Sequence, residues 1–333
     1  MTISKISVYG AGSWGTALAL QLARNGLDVL LWDINPTQVE RINQARVNTR
    51  YLPNIPFPKS LHCNPHIVDL LDHAKYQLIV VPSHGFRPLL AQIKPQIKPH
   101  HVLIWATKGL EVNSGKLLHQ VLQEELPTTK HYGVISGPTF AGEVAKGLPT
   151  AMTAAATEAD IAAQIGQAFT ADNFRVYTST DIIGVELGGA IKNILAIAAG
   201  ISDGLGFGSN ARTALITRGL AEMMRLGTAM GAQAETLMGL AGVGDLILTC
   251  TDNQSRNRRL GLALGQGKTM EAAIADIGQA VEGAKSSQAI GLLAQKAGVE
   301  MPICQHVHQI LYQNLSAHSA VQSLITRKIK AEF

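Results

Sequence analysis

Six residues, Gly10-Ala11-Gly12-Ser13-Trp14-Gly15, constrain this chain more than any others. They stand between an apolar strand pattern, Ile3–Tyr9, and a helix pattern that begins at Thr16-Ala17-Leu18-Ala19. A lone G-x-G-x-x-G means little. Between a strand and a helix each glycine is needed for a different reason, namely the tight turn, the close approach of a pyrophosphate, and the close packing of helix on strand. The pyrophosphate then rests on free amides at the helix N-terminus. The competing reading is a glycine-rich βα turn with no ligand.

The following segments extend the same unit. Asp28–Trp32 reads as a second strand ending in Asp33, eighteen residues past Gly15, where NAD-binding sheets place a carboxylate on the ribose hydroxyls. Asp33 disfavours a 2′-phosphate, so NAD is expected over NADP, with a merely solvated strand-end aspartate as the alternative. Asn35-Pro36 caps a helix through about Arg46, and residues 47–58, with three prolines, read as a loop. Gln77–Pro82 and His101–Ala106 are continuous apolar runs, as expected of parallel strands covered on both faces. Helical spacing over Asn64–Ala74 and Gly85–Ile97 completes the alternation of a doubly wound, mostly parallel sheet. Tyr132–Ser136, Thr150–Ala156 and Phe174–Thr178 read as its further strands. Ligands in such sheets sit beyond the carboxyl ends of strands. Lys108, just after the 101–106 run, therefore looks into the crevice where a nicotinamide belongs, unless it is an ordinary charged loop residue.

Residues 1–182 thus form an α/β nucleotide-binding domain, and 183–333 read as helices throughout. The first of these, Ile183–Ile201, carries an apolar stripe at Leu187, Ala190/Ile191, Ile194/Leu195, Ala198 and Ile201. Lys192 lies off that stripe, with only Gly188, Gly189, Ala196 and Ala199 on its own face. Such a lysine can meet a ligand; a snorkelling surface lysine is the bland alternative. Further helices are expected over 211–227, 235–240, 258–264, 270–277, 284–297, 303–313 and 318–328, each punctuated by glycine or polar stops. Gly242–Asp245 and Asp252–Asn257 read as loops holding polar groups. Arg256, beside a helix expected to start near Arg258, is a ready anion site, because a cation at the positive end of a helix is unfavourable without an anion. Capping alone would explain Ser255 and Asn257.

Composition excludes other classes. Hydrophobic content of 46% and charged content of 16% describe a well-packed soluble protein. A net charge of +4 suits small anionic ligands and is too weak and scattered for nucleic acid. Cys63, Cys250 and Cys304 lack metal or disulfide spacing and fit idle thiols in a reducing compartment. His100-His101 and His306-x-His308 form no paired ligand set, so no metal is expected. No basic n-region or cleavage site opens the chain, and no apolar run reaches the length of a membrane span.

Taken in order, GAGSWGTALA (10–19), ATKGLE (106–111), SGPTFAGEVAKGLPTA (136–151), ELGGAIKNILAIAAGISDGL (186–205), GLAGVGDLILTC (239–250) and SRNRRLG (255–261) resemble the bacterial-type soluble NAD(P)-dependent glycerol-3-phosphate dehydrogenases. The resemblance implies a Rossmann domain joined to an all-α domain of the 6-phosphogluconate-dehydrogenase-like type. It also implies a cytoplasmic enzyme that interconverts dihydroxyacetone phosphate and sn-glycerol 3-phosphate for phospholipid synthesis. By motif, Lys192 is implied as the proton donor and acceptor. Lys108, Gly137, Thr139, Lys192, Asp245, Ser255, Arg256 and Asn257 are implied to hold the substrate. Gly10, Gly12, Ser13, Trp14, Gly15, Asp33, Lys108, Ala141, Arg256, Ala280 and Glu282 belong to the cofactor side. Many relatives carry a neutral or basic residue where this chain has Asp33-Ile34, which again favours NAD. A homodimer is the default expectation for so much apolar helix.

The implied chemistry is acid catalysis on a carbonyl. Hydride arriving at C2 leaves charge on its oxygen, which an ammonium stabilises and protonates. Burial and Lys108 would lower the Lys192 pKa, and Asp245 would raise it. One rival is a β-hydroxyacid dehydrogenase of the same plan, which spaces its lysine and asparagine as K-x-x-x-N; here Asn193 is adjacent and position 196 is Ala196. The other is a dinucleotide-sensing regulator without catalysis.

Overall fold

The computed structural model describes residues 3–326. An eight-stranded sheet is built from β1 (Lys5–Tyr9), β2 (Asp28–Trp32), β3 (Leu61–Asn64), β4 (Tyr76–Ile79), β5 (Val102–Trp105), β6 (Tyr132–Ser136), β7 (Thr150–Ala156) and β8 (Phe174–Ser179). Its order is β3-β2-β1-β4-β5-β6-β7-β8, parallel except between β6 and β7. The chain reverses direction across the sheet between β1 and β4, which pair side by side and open a crevice at their carboxyl ends. Between the strands run α1 (Ser13–Arg24), α2 (Pro36–Ala45), α3 (Ile67–His73), α4 (Ser83–Ile93), α5 (Leu118–Glu125), α6 (Ala141–Lys146) and α7 (Ala159–Phe169). The central strands β4, β5 and β6 are buried along their whole length, as helices on both faces require, whereas the edge strands β3 and β8 are partly exposed.

The rest is helical: α8 (Ile182–Gly204), α9 (Ser209–Ala229), α10 (Ala234–Leu237), a π-helical turn at Leu240–Gly244, α11 (Asp245–Thr251), α12 (Arg256–Gly265), α13 (Met270–Ile277), α14 (Glu282–Ala297), α15 (Pro302–Tyr312) and α16 (Ala317–Ile325). The expected helix over 318–328 is thus present in its described part, and positions 327 and 328 lie outside the described residues.

The α8 helix is the axis of the helical half. The sequence suggested an amphipathic helix; instead every residue from Gly184 to Ser202 is buried, Lys192 included. Protein surrounds it on all sides, because β6 and the π-helical turn cover the side that periodicity left polar. Each fully buried leucine or isoleucine on it contributes about 1.5–3 kcal/mol, which offsets the cost of burying its polar groups. The small residues beside Lys192 admit backbone: a Cβ on Gly188 would stand 2.3 Å from the Ala241 carbonyl oxygen, and one on Gly189 would stand 3.1 Å from Ser136 Oγ.

Three other expectations change. Gly242–Asp245 is no loop; Gly242 lies so close to Leu237 that a Cβ would fall 1.9 Å from its carbonyl oxygen, so the glycines serve a packed π-helical turn. The strand β3 falls where the sequence pattern shows none. Finally, α8 and the stretch Ala234–Thr251 do have the length and mean hydropathy, 1.6 and 1.2, of a membrane crossing, but 94% of the α8 window is buried inside the protein. For α8, Lys192 had masked an otherwise continuous apolar run.

Candidate active site

The glycine fingerprint adopts the geometry that its spacing implies. Gly10 has φ +116°, and a Cβ there would lie 2.9 Å from the Val80 carbonyl oxygen. A Cβ on Gly15 would lie 1.9 Å from the Gly10 carbonyl oxygen, so helix and turn touch. Gly12 faces open space, and no side chain caps α1, whose first turn carries Ser13 and Trp14. These free amides and this clearance fit a pyrophosphate. Asp33 follows β2, its carboxylate accepting a hydrogen bond from Asn35 N at 2.9 Å. Trp14 Nε1 is buried and has no protein partner.

Across the crevice, three charged side chains meet. Asp245, at the start of α11, is bridged by Lys108 Nζ at 2.7 Å on Oδ2 and by Lys192 Nζ at 3.0 Å on Oδ1. Lys108 also donates to the Gly137 carbonyl at 3.2 Å, and its ammonium stands 5.9 Å from the Trp14 ring centre. The loop after β6 folds back on itself, Thr139 Oγ1 donating to the same carbonyl at 3.1 Å. Lys192 donates to Thr249 Oγ1 at 2.8 Å, and that hydroxyl donates to the Asp245 carbonyl at 2.6 Å. Each ammonium therefore uses two of its three donors on the protein and keeps one in reserve.

Burial and charge compete here. Burial pulls the Lys192 ammonium down to about 8; Asp245 opposes the shift and Lys108 reinforces it. Burial pushes the Asp245 carboxyl up, yet the two lysines prevail and hold it below the usual carboxylate range. Sequence left this balance open, and the geometry decides it.

A second group lies at the start of α12. Ser255 is its N-cap, accepting from Arg258 N at 3.2 Å, so the helix begins at Arg256, two residues earlier than expected. Arg256 makes one long hydrogen bond, 3.4 Å to Gln279 Oε1, and burial lowers its pKa while Glu282 opposes. Asn257 does more than cap. Its Nδ2 donates to Asn193 Oδ1 at 2.8 Å, and its Oδ1 accepts from Gly283 N at 2.9 Å, which ties the start of α12 to the residue after Lys192 and to the start of α14. Glu282 opens α14 and accepts from Ser83 Oγ at 3.0 Å, linking the helical half to α4. Ala280 is exposed just before it, and Ala141 opens α6 half-buried.

Lys108, Gly137, Thr139, Lys192 and Asp245 thus form one connected cluster. Ser255, Arg256, Asn257 and Glu282 form a second, joined to the first through Asn193. Gly10–Gly15 and Asp33 lie beyond the carboxyl ends of β1 and β2, across the sheet from the first cluster. Sequence reasoning missed Thr249, Asn193 and Ser83. Thr249 was recoverable, since it lies four residues past Asp245, on one helix face once 245–251 is read as helix.

A fingerprint crevice facing a lysine pair bridged by a buried aspartate is the layout of a two-domain, nicotinamide-dependent dehydrogenase. Comparison with known proteins narrows this class. Residues 5–162 match the family model for the N-terminus of NAD-dependent glycerol-3-phosphate dehydrogenase, and 181–322 match that for its C-terminus. The chain is 55% identical over 333 residues, all of both chains, to the NAD(P)+ glycerol-3-phosphate dehydrogenase of Thioalkalivibrio sulfidiphilus. It is 55% identical over 328 residues to that of Haemophilus ducreyi, covering 98% of each chain. The crystal structure of glycerol-3-phosphate dehydrogenase from Coxiella burnetii superposes with a TM-score of 0.94 at 49% identity, covering 98% of this chain and 99% of that one. The chain belongs to the NAD-dependent glycerol-3-phosphate dehydrogenase family.

Proposed function

We propose that this chain reversibly reduces dihydroxyacetone phosphate to sn-glycerol 3-phosphate with NAD(P)H. The observation that carries the mechanism is the buried Lys108–Asp245–Lys192 bridge beyond the carboxyl ends of β5 and β6. When bound, the nicotinamide cofactor supplies or takes the hydride. Lys192 Nζ gives its proton to the C2 oxygen in reduction and recovers it in oxidation. A pKa of about 8 leaves both protonation states within reach near neutral pH. Asp245 keeps the buried Lys192 ammonium beside the half-buried Lys108 ammonium, and the Thr249 hydroxyl fixes the rotation of the former. Lys108 stabilises the developing oxyanion with its remaining donor.

In this reading Gly137, Thr139, Ser255, Arg256 and Asn257 complete the substrate site, with Arg256 and the first amides of α12 on the phosphate. Gly10, Gly12, Ser13, Trp14, Gly15, Ala141, Ala280 and Glu282 hold the dinucleotide, shared at Lys108 and Arg256. Asp33 selects NADH. The domain division falls at residue 182, where α8 begins. A cytoplasmic enzyme whose product enters phospholipid synthesis rests on the family resemblance, and a homodimer rests on the amount of apolar helix.

The test is spectrophotometric: oxidation of NADH on addition of dihydroxyacetone phosphate. Turnover supports the proposal. Its absence, with reduction of a 3-oxo acid instead, assigns the chain to the β-hydroxyacid dehydrogenases of the same architecture.

A further inference from the structure

We infer that Arg258 is a positioning residue for the phosphate subsite, acting through the loop it gathers and not by touching the ligand; this rests on the assignment of Arg256 to phosphate. The Arg256 guanidinium has one long hydrogen bond to the protein, so its aim is set by the backbone at the start of α12. That backbone is organised around Arg258, two residues on. The Arg258 side chain is buried. Its three nitrogens each reach a different segment: Nε donates to Asn253 Oδ1 at 3.0 Å, Nη1 to the Cys250 carbonyl at 3.1 Å, and Nη2 pairs with Asp203 Oδ2 at 2.6 Å.

One planar fork therefore binds the end of α11, the loop leading to α12, and the last turn of α8. A point-charge ammonium cannot reproduce this. The same carboxylate oxygen of Asp203 also pairs with Arg212 at 2.7 Å, so the anchor is itself held in place. The Arg258 main chain is fixed as well. Its N–H takes the Ser255 cap, and its carbonyl oxygen would be 2.2 Å from a Cβ on Gly200, so α12 lies backbone to backbone on α8. Lys192 stands on that same α8. The arrangement thus carries the register of α8 to the anion subsite and sets the distance between proton donor and phosphate anchor.

The inference is tested with Arg258→Lys, Asn253→Ala and Arg256→Ala, each assayed with dihydroxyacetone phosphate and with unphosphorylated dihydroxyacetone, alongside thermal melts. Asn253 is exposed, so its truncation loosens the loop without opening the core. A merely structural role lowers kcat/KM for both substrates equally. A positioning role lowers the ratio of the two, about tenfold in Arg258→Lys and about threefold in Asn253→Ala, carried by KM with kcat nearly unchanged. If Arg258→Lys does not fold, Asn253→Ala decides alone. An unchanged ratio in folded Asn253→Ala overturns the inference. An unchanged ratio in Arg256→Ala removes the phosphate assignment beneath it, which the other variants do not test.

Discussion

Replacing Asp245 with asparagine removes the one negative charge between two ammoniums while keeping the shape of the side chain. In the native protein, oxygens 3.0 Å from Lys192 Nζ and 2.7 Å from Lys108 Nζ support both charges. An opposite charge at such range is worth roughly 1–3 pKa units, so Lys192 should fall from about 8 to roughly 6. At pH 7.5 the proton-donating fraction then drops from roughly three quarters to roughly 3%, and kcat/KM for dihydroxyacetone phosphate by about 25-fold. The loss should shrink as pH is lowered, because acid restores the donor, and the variant should come close to wild type near pH 5.5. Oxidation of glycerol 3-phosphate, which needs the free amine, should tolerate the change better at neutral pH. The assay is the variant-to-wild-type ratio of kcat/KM from about pH 5.5 to 9 in both directions, which cancels ionisation of the substrate. A loss equal at every pH would refute the reasoning and leave Asp245 a purely geometric part. Stability follows the same sign. A lysine with its folded pKa below the ordinary 10.5 makes the unfolded chain bind more protons between about 8 and 10.5, so Lys192 adds stability as pH rises through that window.

Two further outcomes follow from the geometry. NADH should be used about 5- to 150-fold better than NADPH, since a 2′-phosphate beside the Asp33 carboxylate costs about 1–3 kcal/mol, and Asp33→Gly should narrow the gap; equal use by the native protein would contradict this. Gly261→Ala should cost about 3 kcal/mol in urea unfolding, because its Cβ would fall 2.0 Å from the Ile197 carbonyl oxygen and force α12 off α8; a loss below about 1 kcal/mol would mean that the helices separate freely.

What could be read in the sequence was what short-range physics decides. The fingerprint turn and the apolar runs of β4 and β5 each carry their meaning within a few residues. β3 escaped because it has four residues, with His62 exposed between Leu61 and Cys63, too short to show a period. The π-helical turn escaped because its glycines look like loop residues, whereas Gly242 lets the turn pack against the Leu237 backbone, and Gly188 of α8 lets Ala241 approach that helix. Lys192 could be singled out, but not its company. That Thr249 and Asp245 hold it depends on how α11 docks on α8, and the direction of its pKa shift depends on a depth of burial that an apparent amphipathic stripe concealed.

The central claim is that Lys192 moves the proton, and Lys192→Met tests it most directly. Methionine keeps the apolar stem and suits a helix, so the fold should survive. A general acid is worth about 10²–10⁴-fold, and loss of the oxyanion-stabilising charge places the defect toward the upper end. The pyrophosphate contacts proposed at Gly10–Gly15 lie on another part of the site, so NADH should still bind. The measurement pairs kcat with the NADH dissociation constant, read by fluorescence, on one preparation. A collapse of kcat by about a thousandfold with the dissociation constant within about twofold is the expected result. A kcat above about a tenth of native, with cofactor binding intact, would contradict the account and pass the proton to Lys108.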